Sequence, residues 1–188
     1  MLVDTRAERL ETLGSILESE GIDIVGCVSP EGDLMGAVSR LSPDMILIDI
    51  DSPSRDMLES LRSVQANQPR PMVMFTQEDD GATIRRAVEI GVTAYVVDSI
   101  ERRRIRPVVE VAMARFAQFR ALEKELERTR EKLEHRKIIE RAKGLLMARQ
   151  GISEAEAFQS MRTLAMRKNK RLVEIAEGMI DAADLFQM

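Results

Sequence analysis

Through its first hundred residues the chain alternates short apolar runs with stretches of helical length, and that alternation admits few folds. The runs are Met1 to Val3, Ile24 to Val28, Met45 to Ile48, Met72 to Phe75 and Ala94 to Val97; between them lie Ala7 to Glu20, Leu34 to Leu41, Met57 to Val64 and Thr83 to Ile90. Strands covered on both faces read as unbroken apolar runs, and helical crossovers between them make the strands parallel. The expected fold class is α/β, a five-stranded, doubly wound parallel sheet. In such a sheet a ligand meets the carboxyl ends of the central strands. Those ends carry Asp4, Asp49 and Thr76.

From Ile100 the helical signal continues where the last helix of such a domain should stop. Apart from Pro107, which a first helical turn tolerates, residues 107–150 contain no proline, and Gly144 is their only glycine. Ala112, Phe116, Phe119, Leu122, Leu126 and Leu133 recur at spacings of three, four or seven, an interrupted heptad seam that Thr129 weakens. A parallel coiled-coil homodimer is the preferred reading, and packing back on its own domain the alternative. Residues 136–187 read as three helices. Ile138, Ile139, Ala142, Leu145 and Leu146 face inward on the first, which ends at Gly151. Ser153-Glu154-Ala155-Glu156 is a capping box for the second, with Phe158, Met161, Leu164 and Ala165 inward. Leu172, Ile175, Ala176, Met179, Ile180 and Ala183 give the third. The expected division is a sheet domain over 1–103, a coiled-coil linker over 104–135 and a helical module over 136–188.

Charge separates these parts. The net charge is −4, yet residues 1–100 hold 18 Asp and Glu against 8 Arg and no Lys, whereas residues 136–171 hold ten Lys and Arg against Glu140, Glu154 and Glu156. An acidic half and a basic half facing a polyanion is the functional reading of that asymmetry, and a solvated helix surface the plain one. Aromatic residues make up 3% of the chain, so a surface of many stacking rings is not expected and charge must carry any nucleic-acid binding. No apolar run approaches the roughly 18 residues of a spanning helix, and no leader opens the chain, which leads us to expect a cytoplasmic protein. Cys27, in the run Ile24 to Val28, reads as a small buried thiol, and His135 as a solvated helix residue with no metal-ligand partner at suitable spacing. Neither a metal nor a cofactor is expected.

The segment Pro43-Asp44-Met45-Ile46-Leu47-Ile48-Asp49-Ile50-Asp51-Ser52-Pro53 resembles the third strand and following loop of response-regulator receiver domains. The resemblance puts Asp49 at the phosphoacceptor position, Thr76 at the switch hydroxyl and Tyr95 at the aromatic switch position. It also shows what is missing, since Thr5 stands where the family has a second acidic residue and Asp98 where it has a lysine. Phosphoryl transfer to a carboxylate needs a divalent cation held by clustered carboxylates and a cation against the developing charge. Asp49, with Asp4 and Thr76, therefore reads as a vestigial site in a pseudo-receiver in preference to a working phosphoacceptor.

Glu140-Arg141-Ala142-Lys143-Gly144-Leu145-Leu146-Met147, Glu156-Ala157-Phe158, Met161-Arg162 and Ala165-Met166 stand in the order and spacing of the ANTAR domain. Ser52 to Asp56 and Gln68 to Thr76 look like the NasT-type ANTAR antiterminators of nitrate assimilation. That resemblance implies a non-enzymatic antiterminator that binds paired stem-loops in leader RNA and prevents a terminator from forming. It further implies restraint by a nitrate- or nitrite-sensing protein similar to NasS, with no phosphate involved. RNA binding needs cations at phosphates and a few donors reaching loop bases, for which the candidates are Arg141, Lys143, Arg162, Arg167, Lys168, Lys170 and Arg171. Gly144 either lets a phosphate approach beside Lys143 or serves helix packing. Ala142, Leu146, Met147, Phe158, Ala165 and Met166 are assigned to the core. The competing reading is a phosphorylation-switched response regulator acting on DNA or RNA.

Overall fold

A computed structural model describes residues 1–4, 14–97 and 102–185. They form two compact units, Met1–Arg120 and Ala121–Met188. The first is a parallel sheet of strand order β2-β1-β3-β4-β5, with β1 at Leu2–Asp4, β2 at Cys27–Val28, β3 at Ile46–Asp49, β4 at Met72–Thr76 and β5 at Ala94–Val97. Helices α1 (described over 14–19), α2 (Leu34–Leu41), α3 (Arg55–Asn67) and α4 (Gly81–Ile90) alternate with the strands, and α5 (Arg102–Gln150) follows β5. Thr5 and Asp98, and the first residues of the helix expected from Ala7, lie outside the described residues.

Alternation along each strand splits the interior into two layers. Val3, Ile46, Ile48, Met72 and Met74 pack with Leu34 and Val38 of α2, Leu58 and Leu61 of α3 and Ala87 of α4. Leu2, Leu47, Val73 and Phe75 face the other way, against Leu17 of α1 and Ile105 and Ala112 of α5. A run that is apolar at every position is what a sheet covered on both faces demands.

Edges and ends depart from the sequence reading. Cys27 is exposed, because β2 is a two-residue edge strand and only its alternate position, Val28, turns toward the interior. Pro107 lies inside α5, beyond its first turn. The helix runs on through it, forgoing one backbone hydrogen bond there.

The second unit contains the rest of α5, then α6 (Glu154–Lys168) and α7 (Leu172–Leu185). Gly151 at φ +66° ends α5. Ser153 and Glu156 then close a capping box, the Ser153 amide donating to Glu156 Oε2 at 2.9 Å and the Glu156 amide to Ser153 Oγ at 3.4 Å. Asn169, left-handed at φ 51°, stops α6. Ala142, Met161, Ala176 and Ile180 form a small core, with Ile138, Ile139, Leu145, Leu146, Leu172 and Met179 packed around it. Phe158 and Met166 do not belong to it: they are 40% and 64% exposed, because the buried stripe of α6 is the narrow row Ala157, Met161, Ala165.

Gly91 ends α4 at φ +108°, and a methyl group there would come within 2.7 Å of Gln65 Cγ. Gly91→Ala therefore combines backbone strain with a clash. We expect it to destabilise the sheet unit by more than about 1 kcal/mol, read as an earlier midpoint in urea unfolding followed by circular dichroism, whereas an unchanged midpoint would contradict the geometry.

Candidate functional site

At the carboxyl ends of the strands Asp4 and Asp49 are register partners across β1 and β3, and Thr76 ends β4 next to them. Asp4 and Thr76 are buried and Asp49 half-buried. Among the described residues no three His, Cys, Asp or Glu side chains come close enough together to hold a metal ion. Asp4 and Asp49 supply carboxylates at this end of the sheet, and Thr5, which follows Asp4 in the sequence, adds none.

The Thr76 hydroxyl is engaged within its own loops, donating to the Asp51 carbonyl at 2.8 Å and accepting from the Glu78 amide at 3.1 Å. Glu78 ties the neighbourhood together. Its Oε2 accepts from Ser52 Oγ at 3.0 Å, its Oε1 from the Asp80 amide at 3.2 Å, and its carbonyl from the Tyr95 hydroxyl at 2.9 Å. Burial, reinforced by the charges of Glu78, Asp80 and Asp79, pushes the Tyr95 phenol up, so it stays protonated and able to donate. The loops after β3 and β4 are thus clasped by residues of the chain itself.

In the helical unit the cations named from sequence fall into two groups. Lys143 is the most enclosed, its side chain only 9% exposed, with Nζ 2.7 Å from Glu140 Oε2 and 2.6 Å from Glu154 Oε1. The second contact joins α5 to the first turn of α6. Arg141 reaches both carboxylate oxygens of Asp184 on α7 at 3.3 Å, and Arg171 faces Glu174, whose Oε2 also accepts the Arg171 amide at 2.6 Å. Arg162, Arg167, Lys168 and Lys170 are exposed and make no ion pair with a described residue. They run from the middle of α6 to the turn before α7. Gly144 is exposed, and a methyl group built on it would meet nothing within 4 Å, so helix packing does not call for a glycine there.

Sequence spacing could not separate these two groups, because an ion pair across a turn depends on where the facing helix lies. The signal that was available is Glu154, placed at the start of α6 eleven residues beyond Lys143.

The hydrogen bonds that Lys143 donates to Glu140 and then to Glu154 raise its pKa, and Lys143 in turn holds the Glu154 carboxyl below its ordinary 4.5. A lowered carboxylate pKa contributes stability that is fully present above 4.5 and fades as pH falls through the lowered value. We expect Glu154 to titrate below 4.5 by carboxyl-carbon NMR and to return toward it in Lys143→Met; an unshifted Glu154 in the unaltered chain would contradict the clasp.

Comparison with known proteins matches these two units to two families. The response regulator receiver domain matches residues 1–110 and the ANTAR domain residues 127–180. The chain is 30% identical over 169 residues to the transcriptional regulatory protein PdtaR of Mycobacterium tuberculosis, a match spanning 90% of this chain and 82% of that one. It is 35% identical over 91 residues to the nitrate regulatory protein of Klebsiella oxytoca, spanning 48% of this chain and 23% of that protein. Among solved structures, the receiver domain of a modulated diguanylate cyclase from Desulfovibrio desulfuricans G20 shares the sheet fold, with TM-score 0.54, 24% identity, and coverage of 62% of this chain and 94% of that one.

Proposed function

The chain belongs to the response regulators that carry an ANTAR domain, and from that membership we propose that it is an RNA-binding transcription antiterminator whose helical module holds paired stem-loops of a leader RNA and so prevents a terminator from forming. The observation that carries this reading is the set of cations outside the internal ion pairs, Arg162, Arg167, Lys168 and Lys170, on one helix and the turn after it. Phosphates are their natural counter-ions. Lys143 is a positioning residue, fixing the start of α6 against α5. The division of labour is a regulatory receiver over 1–103, a linker over 104–135 and the RNA-binding module over 136–188.

The linker brings two modules together. Phe119, Leu122, Leu126 and Leu133 are exposed along α5 in a single chain, and a second copy in parallel register covers them in a coiled coil. Two linked modules then hold paired stem-loops far more tightly than one. Leu126→Lys is expected to shift the protein to monomer in sedimentation velocity; a monomeric unaltered chain, or a dimer indifferent to the change, would contradict this arrangement.

Control comes from a protein rather than from phosphate. The acidic first hundred residues suit a docked partner. The likeness of Ser52 to Asp56 and Gln68 to Thr76 to NasT-type regulators, together with the Klebsiella relative's name, supports a nitrate- or nitrite-sensing partner similar to NasS, and genes of nitrate assimilation as the target. The alternative, phosphorylation of Asp49, is favoured by its place beside Asp4 and by the receiver match over residues 1–110.

The test is a titration of the full chain against a labelled leader RNA with two small stem-loops, at several salt concentrations, beside duplex DNA. If four cations neutralise phosphates, log affinity falls with log salt at a slope of about −3, and Arg167→Gln or Lys168→Gln reduces that slope by about one. Asp49→Asn binds like the unaltered chain. Salt-insensitive binding or equal affinity for duplex DNA would overturn the proposal, and binding that requires a phosphoryl donor and disappears in Asp49→Asn would restore the phosphorylation-switched regulator.

A further inference from the structure

One row of side chains on α6 is absorbed neither by the module's core nor by its ion pairs. Phe158, Arg162 and Met166 stand at positions i, i+4 and i+8 of a single unbroken helix, which places them in line on one face. Phe158 is 40% and Met166 64% exposed, and Arg162 between them is exposed as well. The adjacent row, Ala157, Met161 and Ala165, is buried. A large ring and a long thioether are thus left facing water in a module whose own core is small.

Geometry and charge together indicate what such a row suits. Four residues of α-helix rise about 6 Å, close to twice the roughly 3.4 Å between successive bases along a strand. The gap between neighbouring members therefore has the thickness of one flat base. The ring of Phe158 and the guanidinium plane of Arg162 both stack on bases, and the polarisable sulfur of Met166 makes favourable contacts with aromatic faces. The setting is cationic, because Arg167, Lys168 and Lys170 follow the row at its carboxyl end. The acids of α6 are turned to other work, Glu154 to Lys143 and Glu156 to the capping box. A protein or membrane partner would need a broader apolar surface than this single row, which a cation interrupts.

We propose that the Phe158–Arg162–Met166 row receives unpaired loop bases of RNA, one between Phe158 and Arg162 and one between Arg162 and Met166, while the neighbouring cations hold the phosphates. This rests on the RNA-binding reading above, in which Arg162 serves both contacts, its guanidinium plane stacking on bases while its charge adds to that of Arg167, Lys168 and Lys170 at the phosphates.

The experiment uses the full chain and a two-stem-loop RNA with 2-aminopurine at successive loop positions, whose fluorescence is quenched on stacking. Phe158→Leu keeps an apolar side chain and removes the flat ring. It is expected to weaken binding about tenfold, to abolish the quenching at one loop position and to leave both the salt slope and the thermal midpoint unchanged. Met166→Gln, at a more exposed position, removes the sulfur without touching the core and lowers quenching at the neighbouring base. Arg167→Gln changes the salt slope and keeps the quenching. Full affinity and quenching in both Phe158→Leu and Met166→Gln would overturn the proposal, as would loss of the dimer by either variant in the absence of RNA, which would place a second copy on the row. Failure of the unaltered chain to bind RNA would instead remove the antiterminator reading, and the row's role with it.

Discussion

A single helix, α5, has to satisfy three different surroundings along its 49 residues, and the rest of the protein depends on its doing so. Near its start Ile105 and Ala112 are buried against the second face of the sheet. Further on Phe119, Leu122, Leu126 and Leu133 are exposed, and nearer its end Ala142 is buried in the core of the carboxy-terminal unit. Three short helices around a core of that size are marginal alone. A first helix already nucleated elsewhere lowers the entropy cost of ordering the other two.

Within the carboxy-terminal unit, electrostatics decides which cations face outward. Lys143 lies between Glu140 and Glu154, and a phosphate would have to displace two carboxylates already within 2.7 Å of it. Arg141 and Arg171 are committed to Asp184 and Glu174. On the carboxyl half of α6, Arg167 and Lys168 complement the negative end of the helix dipole. The sheet unit shows a parallel economy. Glu78 joins Ser52, Asp80 and Tyr95, so a carboxylate of the chain ties the loops after β3 and β4 together.

How much of this was legible in the sequence depended on the range of the interaction involved. The strands were legible because burial on both faces writes itself as an uninterrupted apolar run, as in Met72 to Phe75. The capping box at Ser153 and Glu156 was legible because it is contained within four residues. The stop at Gly151 follows the same local logic. Cys27 was misread because an apolar run cannot show that its strand is short and at an edge. Phe158 and Met166 were assigned to the core by residue type. A narrow helix–helix contact has room for the row of Ala157, Met161 and Ala165 and for no second one. The enclosure of Lys143 was not legible, since its second partner belongs to another helix and only the fold brings Glu154 to it.

The central claim is that this chain holds RNA on α6 and the turn after it, with the sheet unit outside the contact. Hydrogen exchange read by mass spectrometry, with and without the two-stem-loop RNA, tests that most directly. The account predicts slowed exchange over 158–171 on RNA binding, and none over β4, α4 and β5. Protection confined to the sheet unit, or no protection anywhere at saturating RNA, would contradict it.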